Sequence, residues 1–505
     1  MSQETKDTSP RSLPEPTRVA TLIVGSGFAG IAMGRQLLVD GDDDFLILER
    51  ASGIGGTWRD NIYPGCACDV PSHLYSYSFA LNPEWSRVHA TQPEILAYME
   101  RVAEESGVIG HVRLNADVLA AAWDDDAEEW LVDTTRGRFV ARNLITASGH
   151  LSDPKLPELE GLATFRGELF HSARWNPDAD FKGKRIGVVG TGASAVQIVP
   201  EIAKVASQLT VFQRSAPWIR PRAEREYTVA ERRMFARAPE TLLQIRADMY
   251  WGAEALFLEK RLDLSLIDTA EQTALAHLAD QIHDPELLEK LTPDYRFGCK
   301  RTLRSNDYYP AFLRPNVSLV TDAITRVTEV GLTTMDGSLH ELDVIIFATG
   351  FEAADMPIAH RIRGRGGELL ADHWSGGEQA LAGLSVHGFP NMFVLNGPNS
   401  SIVASIIFMI ECQVSYASGA LRYAREHGVR WMEATQEAED AFGADIDRRA
   451  ESTVWLKGDC DNWYVDERSG RLTALWPDFA RRFLIENSHF SPHGYEVSHR
   501  SVERV

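Results

Sequence analysis

Two glycine-rich turns in this sequence could bind the phosphates of two dinucleotides. The first reads Gly25-Ser26-Gly27-Phe28-Ala29-Gly30, and the second reads Gly190-Thr191-Gly192-Ala193-Ser194-Ala195. Each turn follows an apolar run typical of a buried strand and precedes a helical pattern, an order that directs free backbone N–H groups at a pyrophosphate. The spacing therefore predicts two dinucleotide sites in one chain and disfavours an unrelated α/β protein with incidental glycine turns.

The two sites are predicted to differ at the end of the strand that follows each turn. Glu49 ends the strand 45–48, about 20 residues beyond the first glycines, where a carboxylate can accept hydrogen bonds from ribose hydroxyls. Gln213-Arg214-Ser215 occupies the equivalent place in the second unit. An acid there would repel a 2′-phosphate, whereas Arg214 can bind it with a planar fork of donors. We therefore expect a free ribose in the first site and NADP in the second, the alternative for Arg214 being a solvent-facing charge.

The loop after the first unit's second strand is also suited to a ligand. It contains Gly55-Gly56-Thr57-Trp58, then Tyr63-Pro64-Gly65 and Asp69. Glycines let the backbone pass close to a bound molecule, and Trp58 can lie against a flat ring system. The loop predicts a first cofactor longer than a single nucleotide.

A segment between the two turns has the spacing Phe165-x-Gly167-x3-His171-x3-Trp175. Gly167 permits a tight turn, His171 supplies a hydrogen-bonding ring, and Trp175 offers a broad surface for packing a loop. We predict that the segment joins the two nucleotide units and that His171 acts at this joint, not in proton transfer. The alternative is that the three rings are ordinary packing residues.

Composition and charge exclude several classes of partner. The chain has 505 residues, 72 of them Asp or Glu and 51 Lys or Arg, for a net charge of -21. With no basic run, nucleic acid and anionic membrane surfaces are not expected as partners. The longest apolar run, 402–410, is interrupted by Ser405 and is too short to span a membrane.

The five cysteines are few, odd in number and widely spaced, so a secreted disulfide framework is not expected and a cytoplasmic location is favoured. Cys66-Ala67-Cys68 is interpreted as incidental loop composition, with some sensitivity to oxidation as the alternative. Partners at metal-ligand spacing are missing, and we predict no metal site. Residues 1–17 are polar and proline-rich and are expected to form a disordered tail.

With these motifs in this order, the chain resembles the Baeyer–Villiger monooxygenases, a family of NADPH-dependent single-chain flavoproteins. The resemblance rests on the Phe165-to-Trp175 motif and on Gly55-Gly56-x-Trp58-x4-Tyr63-Pro64-Gly65-x3-Asp69, and it extends over nearly all of the chain after the tail. Related N- and S-oxidising flavin monooxygenases usually end the first motif differently, so Trp175 favours the ketone-oxidising branch. Asn176 and the run Ser400 to Ala404 depart from the family's usual residues, and substrate preference is not transferred.

The resemblance implies FAD in the first site, NADPH in the second, and insertion of one oxygen atom from O2 beside a ketone carbonyl through a C4a-peroxyflavin, giving an ester or lactone. It sets Arg301 against the peroxide, with Asp69 orienting Arg301, and adds Lys300 to Arg214 at the 2′-phosphate. Trp463 is expected to cover the nicotinamide cofactor, although an aromatic residue near the end of the chain is more often core. The complete set of expected cofactor-binding residues is Gly25, Gly27, Phe28, Gly30, Glu49, Arg50, Gly56, Thr57, Trp58, Tyr63, Asp69, Val70, Tyr75, Gly190, Thr191, Gly192, Ala193, Ser194, Gln197, Arg214, Ser215, Lys300, Arg301, Ala348, Thr349, Gly350 and Trp463.

The expected fold class is α/β, with two Rossmann-like dinucleotide-binding domains, for FAD and NADP, and a helical insertion. The FAD domain is assigned to 18–150 and 352–505, the NADP domain to 151–222 and 296–351, and the insertion, which could roof a substrate cavity, to 223–295. Ala147-Ser148-Gly149 and Ala348-Thr349-Gly350 are interpreted as paired crossings, one after each unit, whose small residues are consistent with a chain that enters and leaves the first unit twice. Residues 143–149 are predicted to form a strand.

The main alternative function is an N- or S-oxygenating flavin monooxygenase with the same cofactors. A disulfide reductase would share both glycine turns but needs a C-x-x-C motif, which the sequence lacks. A non-catalytic FAD-binding protein would have no use for a second turn selective for NADP. The oligomeric state and the ketone itself are not predicted.

Overall fold

A computed structural model of the chain describes residues 15–402 and 404–499. Most of the predicted tail lies outside these residues, and Thr17, at its predicted end, already begins a strand. Within the described residues the strands, numbered β1 to β20 along the chain, are Thr17–Val24, Phe45–Leu48, Val112–Arg113, Val118–Asp124, Glu129–Thr134, Gly137–Thr146, Glu168–His171, Arg185–Val189, Gln208–Phe212, Ile219–Arg220, Leu303–Arg304, Val317–Val320, Ile324–Thr328, Gly331–Thr334, Leu339–Glu341, Val344–Phe347, Ile362–Arg363, Met392–Val394, Val429–Ala434 and Tyr495–His499. The α-helices of the same residues, numbered α1 to α14, are Phe28–Val39, Thr57–Asp60, Gln92–Glu105, Ala193–Ile202, Val229–Arg237, Pro239–Ala255, Leu264–Ala279, Pro285–Leu291, Tyr308–Ala311, Leu370–His373, Ile406–His427, Gln436–Ala450, Val454–Lys457 and Ala480–Asn487.

The first sheet has the strand order β17-β4-β5-β6-β1-β2-β3, with β18 paired to β6. The apolar strand β1 is parallel to β2 and β6, while β5 forms antiparallel pairs with β4 on one side and β6 on the other. β18 pairs with β6 in parallel, so the last third of the chain returns to this sheet. The strand predicted for 143–149 ends earlier, at Thr146, because the chain turns at Gly149, whose φ is 69°.

The second sheet is parallel throughout, in the order β12-β9-β8-β16-β7. Its central strands are buried apolar runs, as expected for a parallel sheet covered on both faces. β7 contains part of the segment predicted as a joint and lies at the edge of this sheet. Part of the joint is therefore sheet structure and not a free linker, since residues 168–171 pair with β16 in register.

Helices α5 to α8 follow one another between β10 and β11. Capping boxes and acidic N-caps define where they begin: Thr228 and Glu231 cap α5, Asp263 caps α7, and Asp284 caps α8 ahead of a proline. The strands on either side pair in parallel, with Arg220 opposite Arg304. This pairing brings the two ends of the helical segment side by side.

Helix α11 begins at Ile406, and Gly428 ends it with a φ of 65°. α11 packs against α1 beneath the first sheet. Among the described residues, every helix falls short of the length or the apolar character that crossing a membrane requires.

Cys299 and Cys460 form a disulfide with their Cα atoms 6.2 Å apart. No local motif indicated this bond, because the cysteines lie 161 positions apart and only the tertiary fold brings them together. A single bond is not a disulfide framework, yet it is at odds with the reducing compartment that was expected. Cys66 and Cys68 are buried thiols, and burial raises the pKa of Cys66 to about 12, so a thiolate redox pair is not favoured there.

Candidate active site

A single cavity of about 2030 Å³ contacts both glycine turns, the helical segment and the C-terminal loop that holds Trp463. Parallel strands of both sheets end at it, with β1 and β8 leading directly into the two turns. Ligands of such folds bind beyond the carboxyl ends of the strands. The cavity is therefore the candidate active site.

The first glycine turn fits closely where it meets the protein and is open where it meets the cavity. A Cβ on Gly25 would lie 2.6 Å from the carbonyl oxygen of Ala147, and one on Gly30 would overlap the carbonyl oxygen of Gly25. A Cβ on Gly27 would meet no atom within 4 Å. Gly27 is also the N-cap of α1, which has no side-chain cap. The turn thus leaves room and free N–H donors for a phosphate.

The second turn repeats this arrangement. A Cβ on Gly190 would lie 2.5 Å from the carbonyl oxygen of Ala348, and one on Gly192 would meet no atom within 4 Å. Gly192 is the N-cap of α4, again without a side-chain cap. Ala147 and Ala348, from the two small-residue crossings, therefore occupy equivalent places against the two turns.

Glu49 is held rigidly at the end of β2. Its carboxylate accepts hydrogen bonds from the backbone N and hydroxyl of Ser26, at 3.1 and 2.6 Å, from Ala51 N at 2.9 Å and from Arg59 at 3.1 Å. Burial would raise the pKa of Glu49, but the hydrogen bonds and the Arg59 charge lower it below its usual value. The carboxylate is therefore ionised and oriented at the edge of the cavity. Neighbouring Arg50 lines the same cavity and pairs with Asp153 at 2.8 Å.

The residues predicted for the 2′-phosphate meet beside the second turn. The Lys300 ammonium donates to the Ser215 hydroxyl at 2.9 Å, and the Thr191 hydroxyl donates to the carbonyl of Ser215 at 2.9 Å. Arg214 is exposed next to them. Burial and the nearby Arg214 charge lower the pKa of Lys300. Lys300, fixed by Ser215 and close enough to the Arg214 charge for its pKa to fall, forms with Arg214 a suitable phosphate site.

Arg301 and Asp69 form the ion pair that the resemblance implied. One terminal nitrogen of Arg301 donates to both carboxylate oxygens of Asp69, at 2.7 and 2.8 Å. Burial alone would raise the pKa of Asp69, but the Arg301 charge and these hydrogen bonds lower it. The side chain of Arg301 remains 48% exposed, on the cavity. A fixed, permanently charged donor thus faces the space where a ligand would bind.

Several residues predicted to bind the first cofactor line one part of the cavity, here called the floor of the first site. Trp58 donates from its ring nitrogen to the Tyr75 hydroxyl at 3.0 Å, and the Phe28 and Tyr75 rings meet edge to face at 5.4 Å. Thr57 and Val70 line the same part of the cavity. The floor is aromatic and apolar, which suits a flat ring system.

The model of the flavin-binding monooxygenase-like family matches residues 17–360. The chain belongs to this family. It is 43% identical over 489 residues to a Baeyer–Villiger monooxygenase of Streptomyces coelicolor, covering 96% of this chain and 93% of the relative. The crystal structure of cyclohexanone monooxygenase from Rhodococcus sp. Phi1 bound to NADP+ is 30% identical, with a TM-score of 0.86 over 96% of this chain and 100% of that one. The OTEMO complex with FAD and NADP is 28% identical, with a TM-score of 0.85 over 96% and 100% of the two chains.

These similarities confirm the predicted family, fold class and enzyme class. The chain is a flavoprotein monooxygenase of Baeyer–Villiger type, an α/β protein with two Rossmann-like folds, and its cofactors are FAD and NADP. The geometry fits both cofactors, because each glycine turn leaves open the space that a Cβ would occupy. The individual site residues remain predictions.

In this monooxygenase, the predicted joint contacts both nucleotide units. The Trp175 ring lies 6.4 Å from the ring of Tyr63, in the first unit's loop, and 5.1 Å from Phe170 in β7. Gly167 approaches the carbonyl of Asp343 so closely that a Cβ would overlap it, while Phe165 packs into the core beside the second sheet. The structure contains a further contact between the two units that the sequence did not predict.

That contact is made by Gln197 of α4, which was predicted only as a cofactor ligand. Its side-chain nitrogen donates to the carbonyl of Ala67 at 2.9 Å, and its oxygen accepts from the Tyr63 hydroxyl at 3.1 Å. Gln197 also lines the cavity. It therefore ties the second unit's helix to the loop that follows the first glycine turn.

His171 is 3% exposed, and its Nδ1 accepts from the backbone N of Ala173 at 3.1 Å. Burial and the charge of Arg174 lower the pKa of His171 to about 4, so the ring is neutral near pH 7. We expect His171→Gln to lower kcat about tenfold by misplacing the joint, with little loss of FAD. The shape of the kcat profile between pH 6 and 9 should not change, because His171 does not titrate there.

Turnover, FAD content and the pH profile measure this, with His111→Gln as a control at a partly buried histidine of the first unit. Loss of FAD without loss of turnover per flavin would instead make His171 a cofactor ligand.

The C-terminal loop places Trp463 at the cavity with 37% of its surface exposed, its ring 4.5 Å from that of the buried Tyr464. Cavity-lining residues that sequence reasoning missed include Arg59, Arg220, Lys260 and Arg304. Each looks like a solvated charge in its own segment. The pairing of β10 with β11 brings Arg220 and Arg304 together at the cavity, and Arg59 is held there by its hydrogen bond to Glu49.

Proposed function

We propose that this monooxygenase inserts one oxygen atom of O2 beside the carbonyl carbon of a ketone, giving an ester or a lactone. The observation that carries the proposal is the Arg301 guanidinium, held by both oxygens of Asp69 and facing the cavity that both glycine turns line. Bound FAD, reduced by NADPH, supplies the activated oxygen. The protein's own residues must bind the ketone, stabilise charge and exclude water.

Arg301 would stabilise negative charge that develops on the carbonyl oxygen of the ketone. Its guanidinium cannot deprotonate and has no acceptor role, so it serves only as a donor and positive charge. A preorganised donor of this kind contributes about 3 kcal/mol to a transition state, or about a hundredfold in rate. Asp69 is a positioning residue, because both of its carboxylate oxygens accept hydrogen bonds from the guanidinium and so fix its place.

The domain assignment is part of the proposal. Residues 18–150 and 352–505 would hold FAD, residues 151–222 and 296–351 would hold NADPH, and residues 223–295 would cover the substrate space. The return of β18 to the first sheet and the position of β16 in the second support these boundaries. Met249, Ala253 and Leu256, from the helical segment, line the cavity and support its role as a roof.

Arg214→Gln is expected to raise the KM for NADPH about tenfold or more with little change in kcat at saturation, because a charge-assisted contact to the 2′-phosphate is lost. The preference for NADPH over NADH should fall by the same factor. Steady-state kinetics with both nucleotides measure this, with Lys182→Gln as a control at an exposed cation remote from the cavity. An unchanged nucleotide preference in Arg214→Gln would count against the phosphate role.

The proposed function is tested by giving the purified holoenzyme NADPH and, separately, a panel of linear, cyclic and aryl ketones, an amine and a sulfide. Esters or lactones from at least one ketone are expected. Formation of only N-oxides or S-oxides would support the alternative of an N- or S-oxygenating enzyme. The expected cytoplasmic location also stays a prediction, against which the Cys299–Cys460 bond weighs, since disulfides are rare in reducing compartments.

A further inference from the structure

Four cations line one side of the cavity: Arg220, Lys260, Arg301 and Arg304, here called the basic wall. Arg220 and Arg304 are register partners on β10 and β11, so their side chains lie next to each other. Lys260 ends the 3-10 helix Leu256–Lys260 that follows α6. The fold thus gathers positive charge from three separate segments of a chain whose net charge is -21.

Two of the four cations have carboxylate partners. Arg220 forms a two-point pair with Glu259, at 2.9 and 3.0 Å, and Arg301 pairs with Asp69. Lys260 and Arg304 have no ion pair and no side-chain hydrogen bond within residues 15–402 and 404–499. The Lys260 ammonium lies 4.7 Å from the centre of the Phe297 ring, a contact that stabilises the charge without neutralising it.

Burying the charges of Lys260 and Arg304 without carboxylate partners costs free energy. Lys260 is only 7% exposed, and Arg304 is partly buried. Burial, opposed by Glu259 and reinforced by Arg220 and Arg304, lowers the pKa of Lys260 to about 8. Burial and Arg220 also lower the pKa of Arg304. An anionic ligand beside Lys260 and Arg304 would offset this cost by supplying the missing negative charge.

The phosphates of the cofactors already have other sites. The open glycine turns at Gly27 and Gly192 suit the two pyrophosphates, and Arg214, Ser215 and Lys300 suit the 2′-phosphate. The rest of the cavity near the helical segment is apolar and includes Met249, Leu256, Ile406 and Ile410. A ligand that is complementary to both the basic wall and this apolar region has an apolar body and an anionic group.

We propose that the basic wall binds the carboxylate of a ketone substrate, so that this monooxygenase prefers keto acids with an apolar chain. The inference rests on the proposed oxygenation of ketones. Lys260 and Arg304 would hold the carboxylate, while Arg301 remains free for the carbonyl oxygen. The bond between the carbonyl carbon and one neighbouring carbon breaks, and one oxygen atom of O2 is inserted between the two carbons. NADPH supplies two electrons, the second oxygen atom leaves as water, and the product keeps the carboxylate at one end.

The test compares matched substrates in the holoenzyme: 4-oxopentanoate, 6-oxoheptanoate and 9-oxodecanoate, each against its methyl ester. The series is needed because the distance between the wall and the reacting carbonyl sets the best chain length. At one length or more, kcat/KM for the acid should exceed that for the ester about tenfold, the value of one charge-assisted contact. Lys260→Met and Arg304→Leu should each lower this acid-to-ester ratio about tenfold.

Controls separate charge from fold. Arg304→Lys keeps the charge and should keep most of the preference. Lys457→Met and Arg233→Leu remove exposed cations that lie off the cavity, and they should leave the ratio unchanged. Since the first comparison uses the unaltered enzyme, it does not depend on whether a variant folds.

Equal kcat/KM for acid and ester at every length would overturn the inference and leave ketone oxygenation standing. A ratio unchanged in Lys260→Met and Arg304→Leu, with a raised KM for NADPH, would also overturn it and assign the wall to the nicotinamide cofactor. If the keto acids, their methyl esters and simple ketones all give no product with an inserted oxygen atom, the proposed function itself is overturned, and this inference with it.

Discussion

Arg301→Ala is expected to lower ester formation by about a hundredfold or more, while anaerobic reduction of bound FAD by NADPH proceeds at a near-normal rate. The side chain acts on charge that develops during oxygen transfer and is not needed for hydride transfer. NADPH consumption should therefore continue without a matching amount of ester. Product yield per NADPH, measured by gas chromatography beside absorbance, gives the result.

The matched control is Arg138→Ala, which breaks a bidentate Arg–Asp pair on the solvent-exposed β5–β6 hairpin. Exposed pairs of this kind contribute about 0–1 kcal/mol, so its turnover should be unchanged. Asp69→Asn, which loosens Arg301 without removing it, should give a smaller loss than Arg301→Ala. Normal ester formation by Arg301→Ala would remove this residue from the mechanism.

Gly27→Val and Gly192→Val are expected to separate the two cofactors. Both glycines have extended, negative φ values, -77° and -75°, and a Cβ at either meets no protein atom within 4 Å. An added Cβ therefore has room at both positions, and the valine side chain is expected to occupy the proposed phosphate space. Loss of two charge-assisted N–H contacts is roughly 3 kcal/mol, about a hundredfold in Kd.

Gly27→Val should be purified without FAD, whereas Gly192→Val should keep FAD and lose binding of NADPH. Flavin absorbance and nucleotide titration measure the two effects. Gly110→Val is the control, because Gly110 is exposed and its Cβ would also meet no atom within 4 Å. Retention of FAD by Gly27→Val would show that the first turn does not hold the flavin's pyrophosphate.

The sequence predicted best those features that depend on neighbouring residues. The glycine turns were recognisable because strand, turn and helix follow directly along the chain, and Glu49 lies at the end of the next strand. The exact ends of strands and helices were harder to predict. The strand predicted to reach Gly149 ends at Thr146, since positive φ at Gly149 is a property of the turn and not of the apolar pattern.

Features that join distant segments were predictable only through resemblance or not at all. Asp69 and Arg301 are 232 residues apart, and only the family motif connected them. The disulfide of Cys299 with Cys460 and the neighbouring charges of Lys260 and Arg304 had no local signal. They arise because β10 pairs with β11 and because the C-terminal loop folds back over the segment before Arg301.

One oxygen atom of O2 is expected to enter the ketone. Incubating the holoenzyme with NADPH, 18O2 and each ketone of the panel in turn tests this, with mass spectrometry of the product. We predict an ester or lactone that is heavier than the ketone by a single 18O atom. An ester that carries no label, or oxidation of NADPH with every ketone recovered unchanged, would contradict the account.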